Sequence, residues 1–322
     1  DIELGAFTAH DGSTVTLTST GGGLLSNTWD VDDSSVTADI YGEIAIGTAG
    51  ITGGSTVGLT STNGGLTSDV WTVDDSDVTA SVYGDIAIGE ATVTGGSTVG
   101  LTSSNGGLAS DTWIINASDV TAHVYGDIVI GTAGITNGST VGLTSSNGGL
   151  SSEEWTVDAS DVTAHVYGDI AIGEASATSG STIDLTSTNG GLTSDTWAVD
   201  NSDVTAFVYG DIGITNAEIK NGSTAYLTST NGGLTSNVWA ANSSEVIANI
   251  YGGVSIGTGE VIDSDVTLYA KTGGLSMDEL YLRNSTWQAS VFGDVQIPQI
   301  ETHGSDLTLL STDGSVLFNA IK

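Results

Sequence analysis

Acidic side chains recur at two fixed phases of this chain: Asp77, Asp119, Asp161 and Asp203 follow one another at a constant interval, and Asp85, Asp127, Asp169 and Asp211 keep the same interval at another phase. Carboxylates held at regular spacing beside turn carbonyls suit a hard cation, so these columns are the candidates for loosely bound calcium. The competing reading is a solvated acidic face that attracts cations diffusely. Local loops favour the second. The run closest to a calcium-binding loop, Asp30-Val31-Asp32-Asp33-Ser34-Ser35, lacks the glycine needed at its sixth position, and no Gly-Gly-x-Gly-x-Asp nonapeptide occurs. Neither a specific metal site nor a resident cofactor is expected.

Catalysis would need a place where the repeat is broken, because one active site requires one special arrangement of groups. The less regular part of the chain supplies Lys220, Lys271, Glu279, Arg283 and His303. These do not reproduce the Asn-Thr-Asp, Gly-His-Gly or Arg-Ile-Lys motifs of polygalacturonases, whose sugar cleavage depends on clustered carboxylates. His10, His123 and His165 are scattered and read as surface residues. Phosphate-binding loops, dinucleotide fingerprints and Ser-His-Asp signatures are missing, so the chain is not expected to be an enzyme. Thr14, Thr16, Thr18 and Thr20 suggest the flat threonine array of an ice-binding surface, yet elsewhere the outward positions Thr56, Gly58, Thr60 and Thr62 alternate with Asp77, Thr79, Ser81 and Tyr83. That surface is charged and uneven.

Charge narrows the partners. Four basic residues against 39 acidic ones leave a net charge of −35, which repels phosphate backbones and anionic head groups. Nucleic acid is therefore excluded as a partner, and so is membrane insertion, because no apolar run is long enough to span a bilayer. No signal sequence stands at Asp1, and the missing initiator methionine suggests a processed or excised chain. The absence of cysteine excludes disulfides and thiolate metal sites. Scarce lysine with abundant Thr, Ser, Asp and Gly is typical of extracellular bacterial repeat proteins, and an extracellular or cell-surface location is expected.

The elements that carry these residues follow from the period. Trp29, Trp71, Trp113, Trp155, Trp197 and Trp239 recur without an insertion at a period of about 42 residues, as do Tyr41, Tyr83, Tyr125, Tyr167, Tyr209 and Tyr251. Each repeat divides again, since the stretch from Ser55 to Leu66 overlays the stretch from Ser76 to Ile86 when one turn residue is dropped. The unit is thus about 21 residues, within which apolar and polar residues alternate as in a strand with one buried face. Asn-Gly-Gly and Tyr-Gly-Asp supply the glycine of a sharp turn. Units this small cannot bury a face alone and must stack, which predicts an all-β, single-stranded β-solenoid, or parallel β-helix. About fifteen coils at roughly 4.8 Å each would make a rod ~70 Å long. One solenoid domain covers residues 1–322, with regular repeats over 1–252 and divergent terminal coils over 253–322. Members of one acidic column then stand two coils, or ~9.6 Å, apart, where repulsion in salt water is tolerable.

Stacking also assigns the tryptophans. Aligned on Ile86, the residue equivalent to Trp71 is Ala91, and the pairing recurs as Trp113 with Ala133 and Trp197 with Ala217. Large beside small in alternate coils is what close packing inside a narrow core requires, so the six repeating tryptophans are predicted to be core residues. The alternative places the indoles in an outer groove as a ligand platform.

The pattern Val-x-Leu-x-Ser-x-x-Gly-Gly-Leu followed by Gly-Asp-Ile-x-Ile resembles the coils of filamentous-haemagglutinin-type adhesins, across nearly the whole chain. The resemblance implies a right-handed parallel β-helix and a non-catalytic extracellular role in adhesion or fibre building. The secretion-domain motifs of that family are not present. A structural or adhesive solenoid is the leading expectation, with a cell-surface glycan or protein as its partner. The alternative is a glycan-binding or glycan-cleaving β-helix with its site between Gly253 and His303. A head-to-tail homopolymer is also expected: Asp1, Ile2 and Leu4 at one end would meet Val316, Phe318 and Lys322 at the other, with Lys271 and Arg283 facing the acidic amino-terminal coil.

Overall fold

A computed structural model describes all 322 residues, and every regular element in it is a β-strand. Each coil supplies one short strand and one long one, as in Thr56–Ser61 with Leu66–Asp74, followed by Asp77–Val82 with Ile86–Thr94. Short strands pair with short and long with long, always parallel, so that Thr56 lies beside Asp77 and Trp71 beside Ala91. Two parallel sheets result, forming a β-solenoid of about 15 turns. The chain divides into two compact units, Asp1–Val166 and Tyr167–Lys322.

In the first unit the short strands run from Thr14–Ser19 to Asp161–Val166 and the long ones from Ile2–Ala9 to Leu150–Asp158. Val57, Leu59, Val78 and Ala80 point inward from the short strands, and Leu66, Trp71, Ile86 and Ala91 from the long ones. Alternation slips once in every long strand. Asp69 and Val70 both face outward, as do Gly89 and Glu90, because the strand bends there. A Cβ on Gly89 would stand 2.5 Å from the Asp69 carbonyl oxygen, so a side chain there needs the backbone to shift, as it must for Thr215 at the corresponding place of Ile212–Lys220.

The tryptophan column fills the core of this unit. Trp71 sits between Ala49 and Ala91, and Trp113 between Ala91 and Ala133. Trp29 has Ala49 on one side and Phe7 on the other, with ring centroids 5.0 Å apart. All four indoles of the unit, Trp155 included, are no more than 2% exposed, so none is a surface platform.

The second unit repeats the scheme from Ile170–Thr178 and Thr182–Ser187 onward. Trp197 lies between Ala175 and Ala217, and Trp239 between Ala217 and Gly259. Leu280 takes the tryptophan place in the next large coil, beside Gly259. Trp287 is buried instead in the short-strand sheet, between Val266 and Leu307. Pro298, which has no N–H to donate, interrupts the penultimate long strand, leaving Val295–Gln296 and Gln299–His303 as two pieces.

A polar ladder accompanies the apolar core. At the turn after each long strand a buried serine accepts, through Oγ, the backbone N–H of the serine one coil earlier. In the first unit Ser55 donates to Ser76, Ser76 to Ser97 and Ser97 to Ser118, all at 3.1–3.2 Å. In the second, Ser181 donates to Ser202, Ser202 to Ser223 and Ser264 to Ser285, at the same distances. The hydroxyls donate onward to nearby carbonyls, as Ser76 Oγ does to Asp74 O at 2.9 Å. Burial of these hydroxyls and amides is tolerable because both find partners.

Candidate functional site

The turn that follows each short strand alternates between two sequences, Tyr83-Gly84-Asp85 in one coil and Thr62-Asn63-Gly64-Gly65 in the next. They differ by one residue, and the opposite turn compensates: Gly95-Gly96-Ser97 closes the coil with the shorter turn, Asp75-Ser76 the coil with the longer. The coil length stays constant, and the tyrosine edge never drifts.

Coil-to-coil bonds clamp this edge. Tyr83 N–H donates to Ser61 O at 3.1 Å, and Tyr83 O accepts Asn105 N–H at 2.9 Å. Gly107 N–H donates to Asp85 Oδ1 at 2.8 Å, and Ser103 Oγ bridges Gly84 O and Gly106 N–H at 2.6 and 2.9 Å. The Gly-Gly pair is required by proximity: a Cβ on Gly106 would lie 2.4 Å from Asp85 N, and one on Gly107 would lie 2.3 Å from Asp127 O. The positive backbone angles lie in the other turn, at Asp75, Gly96 and Ala117 among others.

With its backbone bonded to the neighbouring coils, the tyrosine ring is directed outward. Tyr41, Tyr83 and Tyr125 in the first unit are 47%, 46% and 45% exposed, and in the second unit Tyr167, Tyr209 and Phe292 are equally open. Tyr251 is half-buried, with Lys271 Nζ 5.4 Å from its ring centroid. Successive rings within a unit stand two coils, or ~9.6 Å, apart. Between them lie the exposed Asn63, Asn105 and Asn147, and beside them Asp85 and Asp127. Aromatic faces, amides and carboxylates thus line one edge at a constant period.

The two acidic columns lie at opposite turns of the coil. Asp85, Asp127, Asp169 and Asp211 each accept a glycine N–H from the next coil through Oδ1, at 2.7–2.8 Å, to Gly107, Gly149, Gly191 and Gly233. Their position is that of a turn cap. Asp77, Asp119, Asp161 and Asp203 open the short strands at the opposite turn and are exposed. No three carboxylate or imidazole groups converge in a geometry that could hold a metal ion.

The residues expected at the ends are spread out. Asp1 Oδ1 accepts Gly23 N–H at 2.8 Å, and Ile2 and Leu4 are half-buried in the first unit's outer coil. In the second unit Val316 and Phe318 are exposed and Lys322 N–H donates to Ile300 O at 3.1 Å. Lys271 and Arg283 do not share a patch. The first lies at the tyrosine edge, whereas the second ends the long strand Leu275–Arg283 and pairs in register with His303. His303 Nε2 is 2.9 Å from Glu301 Oε1 and its ring lies 5.8 Å from that of Tyr281, on an open strand face. Lys220 Nζ lies 3.5 Å from Glu218 and 3.9 Å from Asp200.

One further concavity belongs to the first unit. The bend in the long strands forms an open groove of about 470 Å³ lined by Ala45, Thr67, Asp69, Ala87, Ala109 and Asp111 among others. Its floor is closed by serine hydroxyls already bonded to bend carbonyls, as Ser68 Oγ is to Gly47 O at 3.2 Å.

The serine ladder is what the sequence reading missed, whereas the outward position expected for Tyr83 is found. The tyrosine period was legible, but its position as the first turn residue after the inward Val82 was the signal that sets it outside. No protein-family model, curated protein or solved structure matches this chain.

Proposed function

We propose that this chain is a non-catalytic, extracellular structural and adhesive β-solenoid. The observation that carries the reading is the division of roles in each coil pair. Serine and aspartate side chains of the turns are bonded from coil to coil, as Ser76 is with Ser55 and Asp85 with Gly107, while one clamped tyrosine per pair stays open to solvent. Polar groups engaged in the stack hold a scaffold, and identical exposed groups on a scaffold multiply weak contacts into a strong one. The resemblance to filamentous-haemagglutinin-type coils supports the adhesive part, and the composition, rich in Thr, Ser, Asp and Gly, supports the extracellular part.

Beads coated with the purified chain and passed over surfaces of immobilised glycans and proteins test the reading. Retention on at least one surface class, rising more steeply than the coating density and releasing no soluble sugar, is the expected result. Release of reducing ends, or no retention on any surface, would overturn it.

A further inference from the structure

The tyrosine edge has the geometry of a track for one kind of polymer, and we propose that it binds neutral β-1,4-linked polysaccharide lying along the direction of coil stacking. The inference rests on the adhesive reading above and names its ligand class. In the first unit Tyr41, Tyr83 and Tyr125 are exposed to nearly the same extent and follow one another at one constant interval. Their spacing is two coil rises, ~9.6 Å, and the three rings span ~19 Å. A β-1,4-linked glycan is a two-fold ribbon. Each sugar is turned over relative to the one before, so that the same face returns every second ring, at a distance close to two coil rises. A tyrosine on every second coil therefore meets an equivalent sugar face each time. A helical β-1,3- or α-1,4-linked chain rotates its faces away and keeps no such register.

The chemistry of the edge agrees with that spacing. The axial C–H face of a pyranose is apolar and stacks on an aromatic ring, which offers rigid contact area at low entropic cost. The amides of Asn63, Asn105 and Asn147 alternate with the rings and can both donate to and accept from sugar hydroxyls. Asp85 and Asp127 spend Oδ1 on the next coil and keep Oδ2 to accept hydroxyl protons beside Tyr83 and Tyr125, and Glu43 stands at the same place beside Tyr41. The charge of −35 excludes sulfated and uronic-acid glycans, which would be repelled along the whole edge. Backbone bonds hold the main chain of each tyrosine, Tyr41 to Ser19, Tyr83 to Ser61 and Asn105, and Tyr125 to Asn147, so that only the side chain is left to order on binding. In the second unit Tyr167 and Tyr209 repeat the interval on that unit's own edge, and the period is interrupted at the half-buried Tyr251, which has Lys271 Nζ 5.4 Å from its ring centroid.

The test is a depletion isotherm of the full chain on microcrystalline cellulose and on β-chitin, with starch granules, a β-1,3-glucan and immobilised heparin alongside. Binding to cellulose or chitin but to none of the other three is expected. Replacing Tyr41, Tyr83 and Tyr125 by Ala should weaken it about two- to tenfold per ring, while the Tyr→Phe variants keep it. Unfolding curves of the variants should overlay that of the parent chain, because the rings are outside the core. A measurement without mutation runs beside it. Soluble cellohexaose should protect Tyr41, Tyr83 and Tyr125 from nitration, while Tyr226 and Tyr269, exposed on the outward short-strand face, react unchanged.

No retention of the parent chain on cellulose or chitin, or retention that survives Ala at Tyr41, Tyr83, Tyr125, Tyr167 and Tyr209 together, would overturn the ligand assignment. If coated beads still adhere to another surface in that case, the adhesive reading stands without it. Tyrosine variants that lose self-association of the chain rather than glycan binding would make the edge a contact between copies and likewise overturn the assignment.

Discussion

The backbone N–H of Ser55 donates to the Oγ of Ser76, 3.1 Å away and one coil further on. Ser55 is 1% exposed, so water cannot replace that acceptor. Ser76→Ala should cost about 1–3 kcal/mol, the desolvation penalty of an unpaired buried donor. Hydrogen exchange distinguishes this from general loosening: the Ser55 amide should exchange faster while amides two or more coils away keep their protection. Uniform acceleration throughout the first unit would count against a local ladder.

Trp113 and Tyr125 share a repeat and have opposite environments. Trp113→Ala empties the place between Ala91 and Ala133 and should destabilise by about 3–5 kcal/mol. Tyr125→Ala, at an exposed turn, should stay within about 0.5 kcal/mol of the parent chain. Denaturant unfolding of the two variants checks the contrast, and similar losses in both would contradict the burial pattern.

Gly106 and Gly58 make a second matched pair. A Cβ on Gly106 would press to 2.4 Å from Asp85 N, so Gly106→Ala should cost about 1–3 kcal/mol or more as two coils are forced apart. Gly58 faces solvent from the short strand Thr56–Ser61 with nothing within 4 Å of its Cβ site. Gly58→Ala should stabilise by roughly 0.5–1 kcal/mol through the lost freedom of the unfolded chain. Thermal unfolding should therefore move in opposite directions.

Ala117 holds φ at +50° in the turn before Asp119. A side chain in this left-handed region strains the backbone, and Ala117→Gly should gain up to about 1 kcal/mol. The β-branched Ala117→Val should lose at least as much. A higher melting temperature for the valine variant would remove strain from the account of this turn.

Removal of divalent cations should leave folding untouched. Asp85 and Asp127 act as turn caps through Gly107 and Gly149, and the stack is held by hydrogen bonds and the tryptophan core. Melting curves in chelator and in millimolar calcium should coincide. A midpoint that rises with calcium but not with sodium at equal ionic strength would reinstate a specific site.

The solenoid was legible because period and alternation are written into every coil, and the tryptophan phase because Ala91 answers Trp71 and Trp113. The ladder was not, because a single serine per coil reads as a turn residue until Ser55 and Ser76 are seen in register. The cap made by Asp85 was hidden for a similar reason. Its partner Gly107 is 22 residues away, one more than the coil length, and only the unequal turns bring them together. Lys271 and Arg283 looked like one basic end, yet the long strand between them carries the chain from one edge of its coil to another.

The unequal turns also set a rule for how such a chain can change in length. From Trp29 to Trp113 a coil with a long turn before the tryptophan and a short one after it is the complement of its neighbour, and a large core residue meets a small one on each side, whereas Phe7 meets Trp29 at the outer coil. Losing or gaining a single coil would bring Trp71 against Trp113, or alanine against alanine, and break the packing. Among the tryptophan–alanine repeats, duplication and deletion are therefore tolerated only two coils at a time, and growth there is quantised in coil pairs.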